Sequence, residues 1–157
     1  MNNQLTIRKA NIEDITKIID LGEKLQNESK EFETNLIFNK DEAMERYKNE
    51  LQNDNALIIV AEEDKEIIGY QYNFISELDY LSHDNLECTF EAIYIIPEQR
   101  AKGISKKLMA FSENWAINDK KVNRIKSNIY SGNIKSEKLH EVYGFKSYNI
   151  EYIKLIQ

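Results

Sequence analysis

Apolar residues recur along this chain in two rhythms, every second residue or every third and fourth, and the switches between them mark its elements. Alternation over 4–8 predicts a short first strand. Asn11 then caps a helix in which Ile12, Ile15, Ile19 and Leu25 share one face. From about 27 to 38 the pattern lapses into polar residues around Phe32, Leu36 and Ile37. Asn39, with Glu42 three positions on, offers a capping box for a second helix carrying Met44, Tyr47 and Leu51. An apolar strand over 56–62, a turn at Glu63-Asp64-Lys65 and a strand over 66–76 follow. In the latter, Ile68, Tyr70, Tyr72 and Phe74 alternate with Gly69, Gln71 and Asn73.

An acidic loop over 79–85, holding His83, leads into a long strand over 86–96 that Pro97 stops. Ile104, Leu108, Phe111 and Trp115 then recur at helical spacing, giving a helix that reaches about Asn118. A strand over 124–130, a helix over 133–143 and a strand over 146–154 complete the order. No repeat, low-complexity tract or linker intervenes, so 1–157 reads as a single domain of the α/β (α+β) class. A right-handed crossover through the helix after 104 makes the strands on either side of it parallel, in an otherwise mixed sheet.

The joint before that helix carries the most chemistry. Arg100-Ala101-Lys102-Gly103-Ile104-Ser105 is a tight basic turn with one glycine, set between an extended strand and an amphipathic helix. Unpaired N–H groups of a helix's first turn and its dipole favour an anion there. Gly103 lets the backbone approach a bulky phosphate, while Arg100 and Lys102 add charge. No Gly-x-x-x-x-Gly-Lys-Ser/Thr occurs, and Ser105 stands where a dinucleotide loop would repeat glycine.

This hexapeptide resembles the pyrophosphate loop, Gln/Arg-x-x-Gly-x-Gly/Ala, of the GCN5-related N-acetyltransferase (GNAT) family, with Ser105 a small departure at the last position. About thirty residues on, Asn133-Ile134-Lys135-Ser136 and Leu139-His140-Glu141-Val142-Tyr143-Gly144-Phe145 resemble the family's closing motif, in the version found in phosphinothricin-type acetyltransferases. The resemblance covers essentially the whole chain. It implies the GNAT fold: one central mixed sheet of six to seven strands flanked by about four helices, splayed where acetyl-CoA enters. It also implies that the backbone of Ile93, Tyr94 and Ile95 pairs with the pantetheine arm. Residues Arg100, Ala101, Lys102, Gly103, Ile104 and Ser105 would then cradle the pyrophosphate, and Asn133 would bond the arm while capping its helix.

The activity so implied is transfer of an acetyl group from acetyl-CoA to a primary amine, directly in a ternary complex. A protonated amine cannot attack, so a base must take its proton. Glu91, an acid interrupting an apolar run, is the candidate; Glu87 is the reserve, and a solvated or ion-paired strand position is the plain alternative. Alternation places Glu91 with Ile93 and Ile95, opposite Phe90, Ala92 and Tyr94. Most relatives carry tyrosine at the position of His140 and that tyrosine is taken to protonate the departing thiolate. Imidazole keeps that capacity near neutrality. A packing histidine is the alternative, with Tyr143 as the fallback acid and otherwise core. Cys88 reads as a small buried hydrophobe. Tyr70 and Tyr72 read as core, with one of them lining the acceptor pocket as the alternative.

Composition adds bounds. Hydrophobic content of 41% with 31% charged residues is ordinary for a soluble protein. No apolar run approaches eighteen residues and no charged-then-apolar leader precedes the domain, which gives a cytoplasmic expectation with no membrane partner. One cysteine excludes an internal disulfide, and two histidines are too few for zinc, so no metal is expected. The net charge of −6 argues against nucleic acid and fits a cationic amine, small molecule or peptide, and a homodimer is compatible with the reading. The alternative of a different class is a non-catalytic acetyl-CoA-binding sensor or interaction module.

Overall fold

Two residues with positive φ, Asp64 at 52° and Lys65 at 68°, make the tight turn that joins β2 (Ala56–Glu63) to β3 (Glu66–Glu77). Such a primed turn matches the twist of the strands it connects, so the hairpin's register is set locally. The computed structural model describes residues 4–78 and 86–154. The acidic loop over 79–85, with His83, lies outside them. β1 (Leu5–Lys9) pairs antiparallel with β2, and β3 antiparallel with β4 (Leu86–Ile95). β5 (Arg124–Ser127) pairs with β4 in parallel, as a crossover through the intervening helix requires. The sheet order is β1-β2-β3-β4-β5.

Four helices cover the sheet. Asn11 caps a short 3-10 turn, Ile12–Asp14, that leads into α1 (Ile15–Ser29). Asn39 caps α2 (Lys40–Glu50) by accepting from the amides of Asp41 and Glu42. α3 (Ile104–Asn114) continues as a π-helical turn, Trp115–Asp119, and α4 is Ile134–Tyr143. Ile15, Ile18 and Leu21 of α1 and Tyr47 of α2 pack on Val60, Tyr70, Tyr72 and Tyr94 on one face. Leu108 and Met109 of α3 pack on Ile59, Phe90 and Ile95 on the other, where Leu139 of α4 joins them. Both Tyr70 and Tyr72 are core, as expected.

Three expectations change. The described sheet has five strands, not six to seven. The chain over 146–154 makes no strand, and Tyr148, Ile150 and Tyr152 are 80%, 70% and 90% exposed. Alternation states what a strand face needs; it does not supply an edge to pair with. The fifth strand stops at Ser127 instead of running to 130, because the chain leaves β4 there. Finally, strict alternation fails inside β4. Tyr72 faces Ala92 and Asn73 faces Phe90, so Glu91 is an extra residue with no opposite number. This β-bulge resets the phase and brings Phe90 to the same core as Ile93 and Ile95, while Ala92 and Tyr94 pack on the α1–α2 side.

Candidate active site

The bulge and the end of β5 coincide. Ladder pairs between β4 and β5 run from Glu87 with Arg124 to Phe90 with Ser127 and stop. Beyond that rung β4 continues through Ile95, paired among the described residues only with β3, so its other edge faces a gap. A cleft of about 480 Å³ opens there, within the usual size for a small-molecule site. Its walls are Leu25 and Gln26 of α1, Glu42, Arg46 and Tyr47 of α2, Phe90 to Ile93 of β4, and Ser127 to Tyr130. Tyr70 lies at its base, and Asn133, Ser136 and His140 close the side formed by α4. Phe32, from the polar stretch after α1, stacks on Tyr130 at 6.2 Å and links the two rims.

Glu91 is exposed and lines this cleft. Arg46 and Tyr47 both feel its charge, which places the carboxylate on the α1–α2 side and not with Ile93 and Ile95. Glu87 has a different setting. It is 2% exposed and sits between Arg124 Nε at 2.6 Å and Lys126 Nζ at 3.0 Å. Its carboxylate clamps β4 to β5 and does not line the cleft. Burial, then the charge of Glu87, pushes the Cys88 thiol up to about 12, the opposite of an activated nucleophile.

His140 is 4% exposed and held at both nitrogens. Nδ1 lies 2.8 Å from the Ser136 carbonyl oxygen, which can only accept, so the hydrogen sits on Nδ1. Nε2 lies 2.9 Å from Ser127 Oγ, and that hydroxyl is 3.3 Å from the Phe90 carbonyl at the last β4–β5 rung. Ser127 therefore stands between the imidazole and the gap, a position that nothing in the sequence signalled. Tyr143 points elsewhere. Its hydroxyl donates to Glu113 at 2.7 Å, and burial followed by that carboxylate raises its pKa far above the usual phenol, so the fallback acid is a structural tie between α3 and α4.

The basic turn forms as its residues suggest. Gly103, with φ of 77°, is the N-cap of α3, and no side chain caps the helix. By contrast Asn39 and Asn133 cap α2 and α4; Asn133 Oδ1 accepts from the Ser136 amide at 3.2 Å. The first α3 amides, at Ile104 and Ser105, are thus left for an external anion. A side-chain carbon built on Gly103 meets nothing within 4 Å, so the space before these amides is open for a phosphate. Ala101 also adopts positive φ, 63°, curling the loop around that space. Lys102 is exposed beside it, its Nζ 2.6 Å from Gln99 Oε1. Arg100 does not extend into the opening. Its guanidinium pairs with Glu28 of α1 at 2.7 Å and 3.0 Å, its Nε donates to the Ile95 carbonyl at 2.8 Å, and it lies over the Tyr94 ring. It fixes the loop to α1 and to the end of β4. Ile93 lines the cleft, whereas the side chains of Tyr94 and Ile95 are core, leaving a role for their backbone only.

The parting of a parallel strand pair, a strand bulge and an uncapped helix behind a Gly turn lie along one stretch of chain from β4 to α3. Residues 23–145 match the Acetyltransferase (GNAT) family, and the chain belongs to it. Among solved structures it is similar to the aminoglycoside N-acetyltransferase AAC(6')-Iy in complex with CoA, at 22% identity over 98% of this chain and 97% of that one, with a TM-score of 0.80. It is also similar to a predicted acetyltransferase with acetyl-CoA from Clostridium acetobutylicum, at 20% identity over 98% and 96%, TM-score 0.79. The apo aminoglycoside antibiotic 6'-N-acetyltransferase AAC(6')-IG from Acinetobacter haemolyticus matches at 20% identity over 97% and 99%, TM-score 0.76. No curated protein is matched by this sequence. No helix among the described residues is long and apolar enough to cross a membrane.

Proposed function

We propose that the protein is an acetyl-CoA-dependent N-acetyltransferase that moves an acetyl group to a primary amine by direct transfer in a ternary complex. The observation that carries the reading is the meeting of the gap beside Ile93 with the bulged Glu91 at one cleft. The same strand then runs through the short Pro97–Gln99 turn into the uncapped α3 start at Gly103. The residues present fit the cosubstrate: the amides at Ile104 and Ser105, with Lys102, hold the diphosphate, and Asn133 borders the path to the cleft. Bound acetyl-CoA supplies the activated acyl group.

The chain's own groups then handle protons. Glu91 takes the proton that keeps the amine from attacking, directly or through a water. Unpaired β4 backbone at the gap provides N–H donors of the kind that stabilise developing oxyanions. We read the closing motif as the phosphinothricin-type version, with His140 as proton source. When the imidazole carries a proton on Nε2 as well as on Nδ1, the Nε2 proton passes to Ser127 Oγ as the hydroxyl's own proton goes to the departing thiolate, which regenerates the hydroxyl and leaves the neutral ring protonated on Nδ1. A cytoplasmic setting accompanies this reading.

The test begins with calorimetric binding of acetyl-CoA, followed by thiol release on adding a panel of amines. Binding and release are both expected. Gly103→Val, which strains a left-handed backbone and fills the open space, should cut acetyl-CoA affinity by about 10-fold or more while the fold persists. Unchanged affinity removes the assigned loop. Binding without thiol release for any amine would make the chain a binding module instead.

A further inference from the structure

Four arginines occur in the chain, and three of them are neutralised by carboxylates. Arg8 pairs with Asp14 and Glu62, Arg100 with Glu28, and Arg124 with Glu87. The fourth, Arg46, lines the cleft, and among the described residues no carboxylate comes within ion-pair distance of it. Its guanidinium carbon lies 5.1 Å from the Tyr72 ring centroid and 5.8 Å from that of Tyr47. Stacking of this kind, with a hydrogen bond to the Tyr72 hydroxyl, holds the planar fork in place, and a guanidinium with five N–H donors keeps others for a ligand. Glu91 acts on it only at longer range.

A pocket for a simple cationic amine has no need of a cation in its wall, and one there repels every additional ammonium group. Arg46 therefore asks for a negative group on the ligand. Resting on the acetyltransferase reading, we infer that the acceptor is an amine that also carries an anionic group, a carboxylate or a phosphate, held by Arg46 while its ammonium faces Glu91. The two charges of such a zwitterion meet charges of opposite sense in the cleft, Arg46 on α2 for the anion and Glu91 on β4 for the ammonium, with Glu42 of α2 a second carboxylate in the same wall. Guanidinium binds both anions through paired N–H donors, so the geometry defines the charge and leaves the choice of anion to experiment. An amine with several ammonium groups and no anion is the substrate this wall disfavours.

The test compares kcat/KM, read as thiol release with saturating acetyl-CoA, for matched acceptors. Phenylalanine is set against phenethylamine, lysine against cadaverine, and phosphoethanolamine against ethanolamine. The wild type is expected to favour the anionic member of a pair by about 10-fold or more, as for loss of a charge-assisted contact. Arg46→Gln should bring that ratio close to one, and Arg46→Lys, which keeps the charge without the fork, should retain part of it. A preference confined to the phosphate pair assigns the anion as phosphate; one confined to the amino acids assigns carboxylate. Equal use of both members by the wild type, preference for cadaverine, or an unchanged ratio in Arg46→Gln overturns the inference and leaves Arg46 as packing for the tyrosines. Circular dichroism and melting confirm that the variants fold. If acetyl-CoA binds but no amine is acetylated, the enzymatic reading falls by itself. Calorimetry of the same pairs on CoA-loaded protein then decides the subsite: tighter binding of the anionic member that Arg46→Gln abolishes supports it, and its absence overturns it.

Discussion

Glu87 and Glu91 stand four residues apart on one strand, and their surroundings separate them completely. At Glu87, β4 has a neighbour on each side, and the carboxylate is closed in between Arg124 and Lys126 of β5. At Glu91 the strand carries an extra residue, β5 has ended one rung earlier, and the carboxylate faces an open cleft. One glutamate joins strands; the other is left accessible where the strands part. The difference is a property of strand pairing, since a bulge and a missing neighbour turn a core position into an accessible one. It also explains how a single strand holds a closed half and an open half. The closed half anchors the open half.

Removing the carboxylate of Glu91 tests this separation with the largest effect. Glu91→Gln is expected to lower turnover by about 100-fold with acetyl-CoA affinity little changed, the pattern for loss of a general base. Loss of both together would point to damage of the bulge, and full activity would remove Glu91 from the chemistry. Glu87→Gln should behave in the converse way. Removing one member of a buried ion pair costs about 3–5 kcal/mol when both partners are buried, and the solvent around Lys126 reduces this to about 2 kcal/mol. A chain of this size should then melt about 4–8 °C lower. Turnover per folded molecule should hold. If Glu87→Gln instead stopped turnover without lowering the melting temperature, the roles assigned to the two glutamates would be exchanged.

How much of this was legible follows from what each feature depends on. Caps, turns and periodicity are local, so Asn11, Asn39, the Asp64-Lys65 turn and the Gly103 loop were readable, and the order of the elements with them. The bulge was not, because alternation assumes one residue per partner, and only the ladder between β3 and β4 reveals that Glu91 has none. Nor was the pairing state of charges. Arg100 reads as a free cation in its hexapeptide, yet its partner Glu28 lies 72 residues away on α1. Arg46 was overlooked for the converse reason: on an exposed, highly charged helix one more arginine draws no attention until its neighbours prove to be tyrosines. The strand foreseen over 146–154 failed because a strand is a relation between two segments, and its pattern describes one.

The smallest effect concerns the rung where the two halves of β4 meet. Ser127 lies opposite Phe90, and its hydroxyl is placed between the Phe90 carbonyl and Nε2 of His140. If His140 supplies the proton for the departing thiolate through this hydroxyl, Ser127→Ala breaks the route while leaving the imidazole in place on the Ser136 carbonyl. His140→Phe removes the source itself. Both variants are expected to slow transfer by about 10-fold, less than the upper range for acid catalysis because a thiolate already leaves readily. The shared mechanism also requires that the double variant be no slower than His140→Phe alone, since two members of one relay do not add. Assayed between pH 6 and 9, His140→Tyr should restore much of the rate that His140→Phe loses, because a phenol can donate the same proton. Additive losses would make Ser127 and His140 independent contributors, with Ser127 acting on the strand junction. A wild-type rate for His140→Phe across that range would reduce His140 to packing against Phe145, its ring neighbour at 5.1 Å, and return proton supply to bulk water in the open half of the strand.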